Sequence, residues 1–165
     1  MNKVILRGLQ FAIVLIALIA CDSSSKETDS YYLVYVQDGD SVVLCCEIGN
    51  KFTVRLLDID APERYQPYAE NSKQQLHDLL DKKSLTLLGA KFDKYGRRLA
   101  VIEVNGININ ARMVETGAAW VWRFSKNRGL KKLQEEAREQ KRGLWSLPES
   151  EIQDPWLWRQ SHSRK

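Results

Sequence analysis

Residues 31–63 read YYLVYVQDGDSVVLCCEIGNKFTVRLLDIDAPE, and the turn chemistry inside this stretch decides the fold. Three runs rich in Val, Leu, Tyr and Phe, at Tyr31–Val36, Ser41–Ile48 and Phe52–Leu57, are separated by Asp38-Gly39 and Gly49-Asn50. β-Branched and aromatic residues suit a pleated, half-buried surface, and Gly and Asn supply the backbone angles of tight turns, so the stretch predicts a three-strand meander. Cys45 and Cys46 are adjacent in the second run. Their side chains then point to opposite faces, a bond between them would be strained, and one reads as a small core residue.

Downstream the pattern changes. Pro67–Lys82 carries Leu76, Leu79 and Leu80 at helical spacing. Ser84–Leu88 and Arg98–Val104 read again as strands, with Asp93-Lys94-Tyr95-Gly96 between them and Asn105-Gly106 closing the second. Two further helices are expected, Asn108–Glu115 stopped at Gly117 and Asn127–Arg142 stopped at Gly143. The order β-β-β-α-β-β-α-α gives an α+β, mainly β, fold: a five-stranded barrel of the oligonucleotide/oligosaccharide-binding (OB) type with three helices. The domain spans residues 31–147, and residues 148–165 read as an irregular tail whose Trp156 and Trp158 dock on the barrel.

Upstream, Lys3 and Arg7 precede Phe11–Ala20, ten residues without a charge. That length suits a secretory signal peptide (residues 1–20) and is short for a membrane span, which needs roughly 20 apolar residues. Leu18-Ile19-Ala20-Cys21 resembles the lipobox of a bacterial lipoprotein precursor, which implies lipidation at Cys21. The alternative is a plain signal peptide cut after Ala20. Residues 21–30 become a polar, flexible tether. The chain is thus expected to be exported, either as a membrane-anchored lipoprotein on the extracytoplasmic side or secreted.

The 165 residues are 44% hydrophobic and 28% charged, the proportions of one ordinary globular domain with short appendages. A formal charge of +4 leans toward a polyanionic partner. Lys3 and Arg7 leave with the signal peptide, so the lean shrinks. Three cysteines and two histidines supply too few ligands at usable spacing for a Cys/His zinc site.

Charged residues near the turns carry the chemistry. Asp40 and Asp60, if they meet in space, offer hard oxygens that suit calcium; otherwise they are turn formers bonded to their own backbone. Arg55, set between Val54 and Leu56, and Arg97 present planar forks that can hold two phosphate oxygens at once. Arg98 rivals Arg97 for this role. Glu63 becomes the general base, or the group that orients the attacking water, because His77 lies on the expected helix and His162 in the tail.

Five segments together resemble the staphylococcal nuclease-like (thermonuclease) family over residues 31–147. They are Asp38-Gly39-Asp40-Ser41-Val42, Arg55 through Glu63, Asp93-Lys94-Tyr95-Gly96-Arg97, Asn110–Gly117 and Gly143-Leu144-Trp145. The resemblance implies a calcium-dependent nuclease with Asp40, Asp60 and the carbonyl of Ala61 as metal ligands and Arg55, Glu63 and Arg97 as catalytic residues. It implies substrate contacts at Lys94 and Tyr95, which otherwise form a plain turn. It further implies single-stranded or frayed DNA and RNA as substrates, and 3′-phosphate products. Trp122 and Phe124 stand where the family's pocket tyrosines are expected. A monomer is expected. The rival reading is a catalytically inactive OB-type lipoprotein that binds nucleic acid or protein.

Overall fold

The computed structural model describes residues 30–46 and 49–162. The expected signal peptide, the lipidation site at Cys21 and the tether up to Asp29 lie outside the described residues, as do Glu47 and Ile48. Among the described residues no helix is long and apolar enough to cross a membrane.

Strand β1 (Tyr31–Asp38) turns through Gly39 and Asp40 into β2 (Ser41–Cys46), which returns against β3 (Lys51–Leu56). A two-residue strand β4 (Ile59–Asp60) follows, then helix α1 (Ala69–Leu80), β5 (Thr86–Phe92) and β6 (Arg98–Val104). The chain continues through β7 (Ile107–Asn108), α2 (Ile109–Glu115), β8 (Trp120–Val121), α3 (Arg128–Glu139) and α4 (Pro155–Ser161). In the main sheet the order is β1-β2-β3-β6-β5, with β3 and β6 parallel and the other neighbours antiparallel.

The two edges of that sheet touch. Tyr31 of β1 and Leu85, just before β5, exchange both backbone hydrogen bonds, at 3.0 and 2.9 Å. This single bridge leaves the barrel partly open, the form that OB-type barrels take. Val42, Leu44, Val54, Leu56 and Ile102 fill its interior, and Leu76 and Leu80 of α1 with Met113 and Val114 of α2 are buried in the same core. Burying each such side chain stabilises the fold by roughly 1.5–3 kcal/mol.

The mixed fold expected from the sequence is present, with differences of detail. Helix α1 starts at Ala69, two residues after the expected Pro67, because Tyr65 and Tyr68 are left-handed (φ 71° and 72°); it stops before Lys82 (φ 55°) for the same reason. Helix α3 ends at Glu139 rather than Arg142, since Lys141 (φ 50°) has already left the helical region. Strand β5 runs past Leu88 to Phe92 through a register shift. The tail from Pro148 onward is not irregular: a 3-10 turn at Glu149–Glu151 leads into α4, a fourth helix. Within it Trp158 stacks on His162 at 3.8 Å, and Trp156 lies under the Arg123 guanidinium at 4.1 Å.

The Gly143-Leu144-Trp145 segment closes this end of the molecule. Leu144 N–H donates to the carbonyl of Gly117 at 2.8 Å, and the Trp145 ring meets Trp120 edge-on at 4.4 Å. Gly117 is left-handed (φ 72°), and a Cβ there would come within 2.1 Å of the Arg142 carbonyl oxygen. Asn110 is structural as well. Fully buried, it accepts from Ile102 N–H and donates to the carbonyls of Leu57 and Ala100, stitching β6 to the end of β3.

Candidate active site

The β1–β2 turn reaches the site because Gly39 has no side chain. A Cβ at that position would lie 1.9 Å from Ser72 Oγ and 2.7 Å from the Cβ of Ala61, so turn, helix α1 and the 61 loop could not meet. Asp40 then lies buried beside β4. Its Oδ1 accepts from Ser41 Oγ at 3.1 Å and its Oδ2 from the backbone N–H of Ala61 at 2.7 Å. Asp60, also buried, is placed by the pairing of β4 with β8, where it stands opposite Trp120.

Arg55 joins the two carboxylates. From β3, its Nη1 lies 3.0 Å from Asp40 Oδ2 and its Nη2 donates to Asp60 Oδ1 at 3.0 Å. The same guanidinium donates to the carbonyls of Leu56 and Ile59, both at 3.0 Å. A guanidinium with this many fixed acceptors has one orientation. Burial pushes the Asp40 carboxyl up, Arg55 pulls it down, and Asp38 and Asp60 push it up again, for a net rise.

Arg97 approaches from the other side. The turn between β5 and β6 is held by Asp93, whose Oδ1 accepts from the N–H of Tyr95 and of Arg97 and whose Oδ2 takes Arg97 Nε at 2.8 Å. Arg97 Nη1 then donates to Ser41 Oγ at 3.4 Å, one hydroxyl away from Asp40. Arg98 is engaged elsewhere, with Gly89 and the Tyr31 hydroxyl. Lys94 and Tyr95 do not join the cluster: Tyr95 is exposed at the tip of the turn, with Lys94 Nζ 5.0 Å and Arg97 5.6 Å from its ring. His77 pairs with Asp78, and His162 stacks on Trp158.

Glu63 stands at the rim. Its N–H donates to Gln66 Oε1 at 2.9 Å, and its carboxylate accepts from Arg159 Nη1 at 2.5 Å. Arg159 belongs to α4 and was absent from the residues picked out in the sequence. It also donates to both oxygens of Asp60, at 3.1 and 2.8 Å. Partial burial works against its charge, but the bonds to Asp60 and Glu63 overcome this and raise its pKa above the usual arginine value. The signal within reach of sequence reasoning was Asp154-Pro155, an N-cap followed by proline at the first helical position, which marks α4 as a helix. No motif marks Arg159 itself.

Residues 53–147 match the family model described as Staphylococcal nuclease homologue; Asp40 and Arg159 lie outside that span. An uncharacterized endonuclease of Escherichia coli O157:H7 is 40% identical over 129 residues, covering 77% of this chain and 82% of the relative. A micrococcal nuclease of Shigella flexneri is 33% identical over 170 residues, covering 94% and 92%. An uncharacterized endonuclease of Haemophilus influenzae is 35% identical over 160 residues, covering 96% and 85%. With a family model matched over more than half of its length and such relatives spanning most of both sequences, the chain belongs to the staphylococcal nuclease homologue family.

Proposed function

We propose that this chain is a calcium-dependent nuclease that hydrolyses phosphodiester bonds of single-stranded or frayed DNA and RNA and leaves 3′-phosphate products. The observation that carries the reading is the convergence of two buried carboxylates on Arg55, with Arg97 and Glu63 at the rim of the same cluster. The names of the nuclease relatives point the same way.

The donor set fits a hard divalent cation. Asp40 and Asp60 supply two buried carboxylates, and Ala61 lies directly beside Asp40. Among the described residues no three His, Cys, Asp or Glu side chains are grouped to hold a metal. Asp40, Asp60 and the carbonyl of Ala61 would therefore hold calcium together with water and phosphate oxygens, a mixed set that calcium accepts. When bound, calcium supplies charge that polarises the phosphate.

The chain's own residues do the rest. The forks of Arg55 and Arg97 reach the cluster from two sides and suit the non-bridging oxygens of one phosphate, whose charge rises as the nucleophile adds. Glu63 takes the proton of the attacking water while the new oxygen–phosphorus bond forms and the bond to the 5′-oxygen breaks. The exposed Trp122 and Phe124, with ring centroids 5.3 Å apart, offer sequence-tolerant stacking surfaces for bases. The N-terminal text adds location to the proposal: residues 1–21 fit an exported lipoprotein on the extracytoplasmic side.

The test is cleavage of denatured DNA by the full chain in detergent, with calcium and with EGTA. Calcium-dependent cleavage is expected. Glu63→Gln should lower the rate by about 10²–10⁴, and Arg97→Ala by on the order of 10³ or more. A folded protein that binds single strands yet fails to cut them whichever divalent metal is supplied would replace this reading with the binding module.

A further inference from the structure

Arg159 grips two of the carboxylates on which the proposed chemistry depends. Its Nη1 and Nη2 take Oδ1 and Oδ2 of Asp60 at 3.1 and 2.8 Å, and Nη1 also takes Oε1 of Glu63 at 2.5 Å. Arg55 already holds Asp60 Oδ1 at 3.0 Å. Both oxygens of Asp60 thus face guanidinium nitrogens, and a divalent cation placed on them would meet the positive charge of Arg159 at a few ångströms. Glu63 is under the same constraint, because a carboxylate that accepts a proton gives up its charge-assisted bond to Arg159.

The element that carries Arg159 is lightly held. Helix α4 has seven residues, of which only Pro155 is buried. Among its other attachments, Trp156 lies under the Arg123 guanidinium, and just before the helix the Gln66 side chain donates to the carbonyl of Gln153 at 2.5 Å. Segments with little apolar burial open at low free energy. The ion pairs of Arg159 with Asp60 and Glu63 therefore tie this lightly buried helix to the site that they block.

We propose that α4 is an autoinhibitory latch: Arg159 and the catalytic cation compete for Asp60, and the C-terminal helix must swing away before the site can be loaded. The proposal rests on the reading of Asp60 as a metal ligand and Glu63 as the base. Its consequence is a lowered apparent affinity for calcium. If the open form holds about one part in ten of the population, apparent affinity is reduced about tenfold.

The experiment is calcium titration by calorimetry on the full chain in detergent, comparing the unmodified protein with Arg159→Gln. Arg112→Gln serves as the control, since it removes an equal charge from an exposed pair with Glu115. Hydrogen exchange across residues 155–161 is followed with and without calcium. Expected are binding about tenfold tighter in Arg159→Gln, no change in Arg112→Gln, and faster exchange in α4 of the unmodified protein once calcium is added. Equal or weaker binding in Arg159→Gln, or α4 amides that calcium leaves unchanged or protects, overturns the latch. The exchange measurement decides the matter even where the variant fails to fold. Calcium-dependent cleavage without these changes overturns the latch alone; neither calcium uptake nor cleavage in any form overturns the nuclease reading with it.

Discussion

Asp60 is held by two arginines that make the same kind of bond from opposite kinds of structure. Arg55 lies five residues away in the sequence, in a strand paired on both sides, with a side chain 15% exposed and two backbone carbonyls fixing its fork. Arg159 lies 99 residues away, on a short helix with one buried residue, and its side chain is 36% exposed. The inner contact follows from folding the barrel. The outer one follows from docking a tail. Equal distances therefore do not imply equal strength: what separates the two is how much other structure must move when each breaks.

The largest expected effect breaks the inner half. Arg55→Ala leaves Asp40 and Asp60 buried, close together and without their shared cation. Removing one partner from a buried ion pair typically costs about 3–5 kcal/mol, read by urea denaturation, and cleavage should fall by on the order of 10³ or more. Arg55→Lys should recover neither fully, because an ammonium cannot hold both carboxylates and both carbonyls in one plane. Arg159→Gln should change stability by less than about 1 kcal/mol, the range of partly exposed pairs. Equal losses in the two arginine variants would erase the distinction between the inner and the outer contact.

A middle-sized effect is expected where the inner half is assembled. Gly39 needs no unusual backbone angle; it needs room, since its Cβ would overlap Ser72 Oγ and Ala61 Cβ. Gly39→Ala should destabilise by about 1–3 kcal/mol, the range of overpacked interiors, measured by thermal melting. Ser72→Ala should return part of that loss, because the buried Ser72 hydroxyl has no hydrogen-bond partner to forfeit.

The same division explains how much the sequence revealed. The meander, Asp40, Arg55 and Asp60 were legible because turn glycines and alternating apolar residues lie next to the residues they position. Arg97 was preferred over Arg98 through its place in the Asp93-Lys94-Tyr95-Gly96-Arg97 segment, and the structure sends the two to different partners, Ser41 and Gly89. The two-residue strands β4, β7 and β8 were not legible, since a pair of residues carries no periodicity. Helix ends were misplaced where Tyr68 and Lys141, ordinary helix residues by type, adopt left-handed angles. Arg159 left no trace because its role depends on where α4 docks, and docking over so long a separation is written in no local pattern.

The smallest expected effect sharpens the picture at Arg97. Burial pushes the Asp93 carboxyl up, but hydrogen bonds from Arg97 and Tyr95 outweigh it and hold it below its usual value. A carboxyl depressed in the folded state stabilises the fold at every pH above its unfolded pKa, and that contribution is lost as pH falls through the folded value. Asp93→Asn keeps an Oδ1 acceptor for the N–H groups of Tyr95 and Arg97 and removes only the charge that holds Arg97 Nε. The variant should therefore be less stable at neutral pH by at most about 1 kcal/mol, and the gap should begin to close below about pH 4. Melting curves of both proteins from neutral to acid pH read this directly. A gap that stays constant into acid would mean that the turn is held by its backbone geometry alone, and that Arg97 reaches Ser41 without help from Asp93.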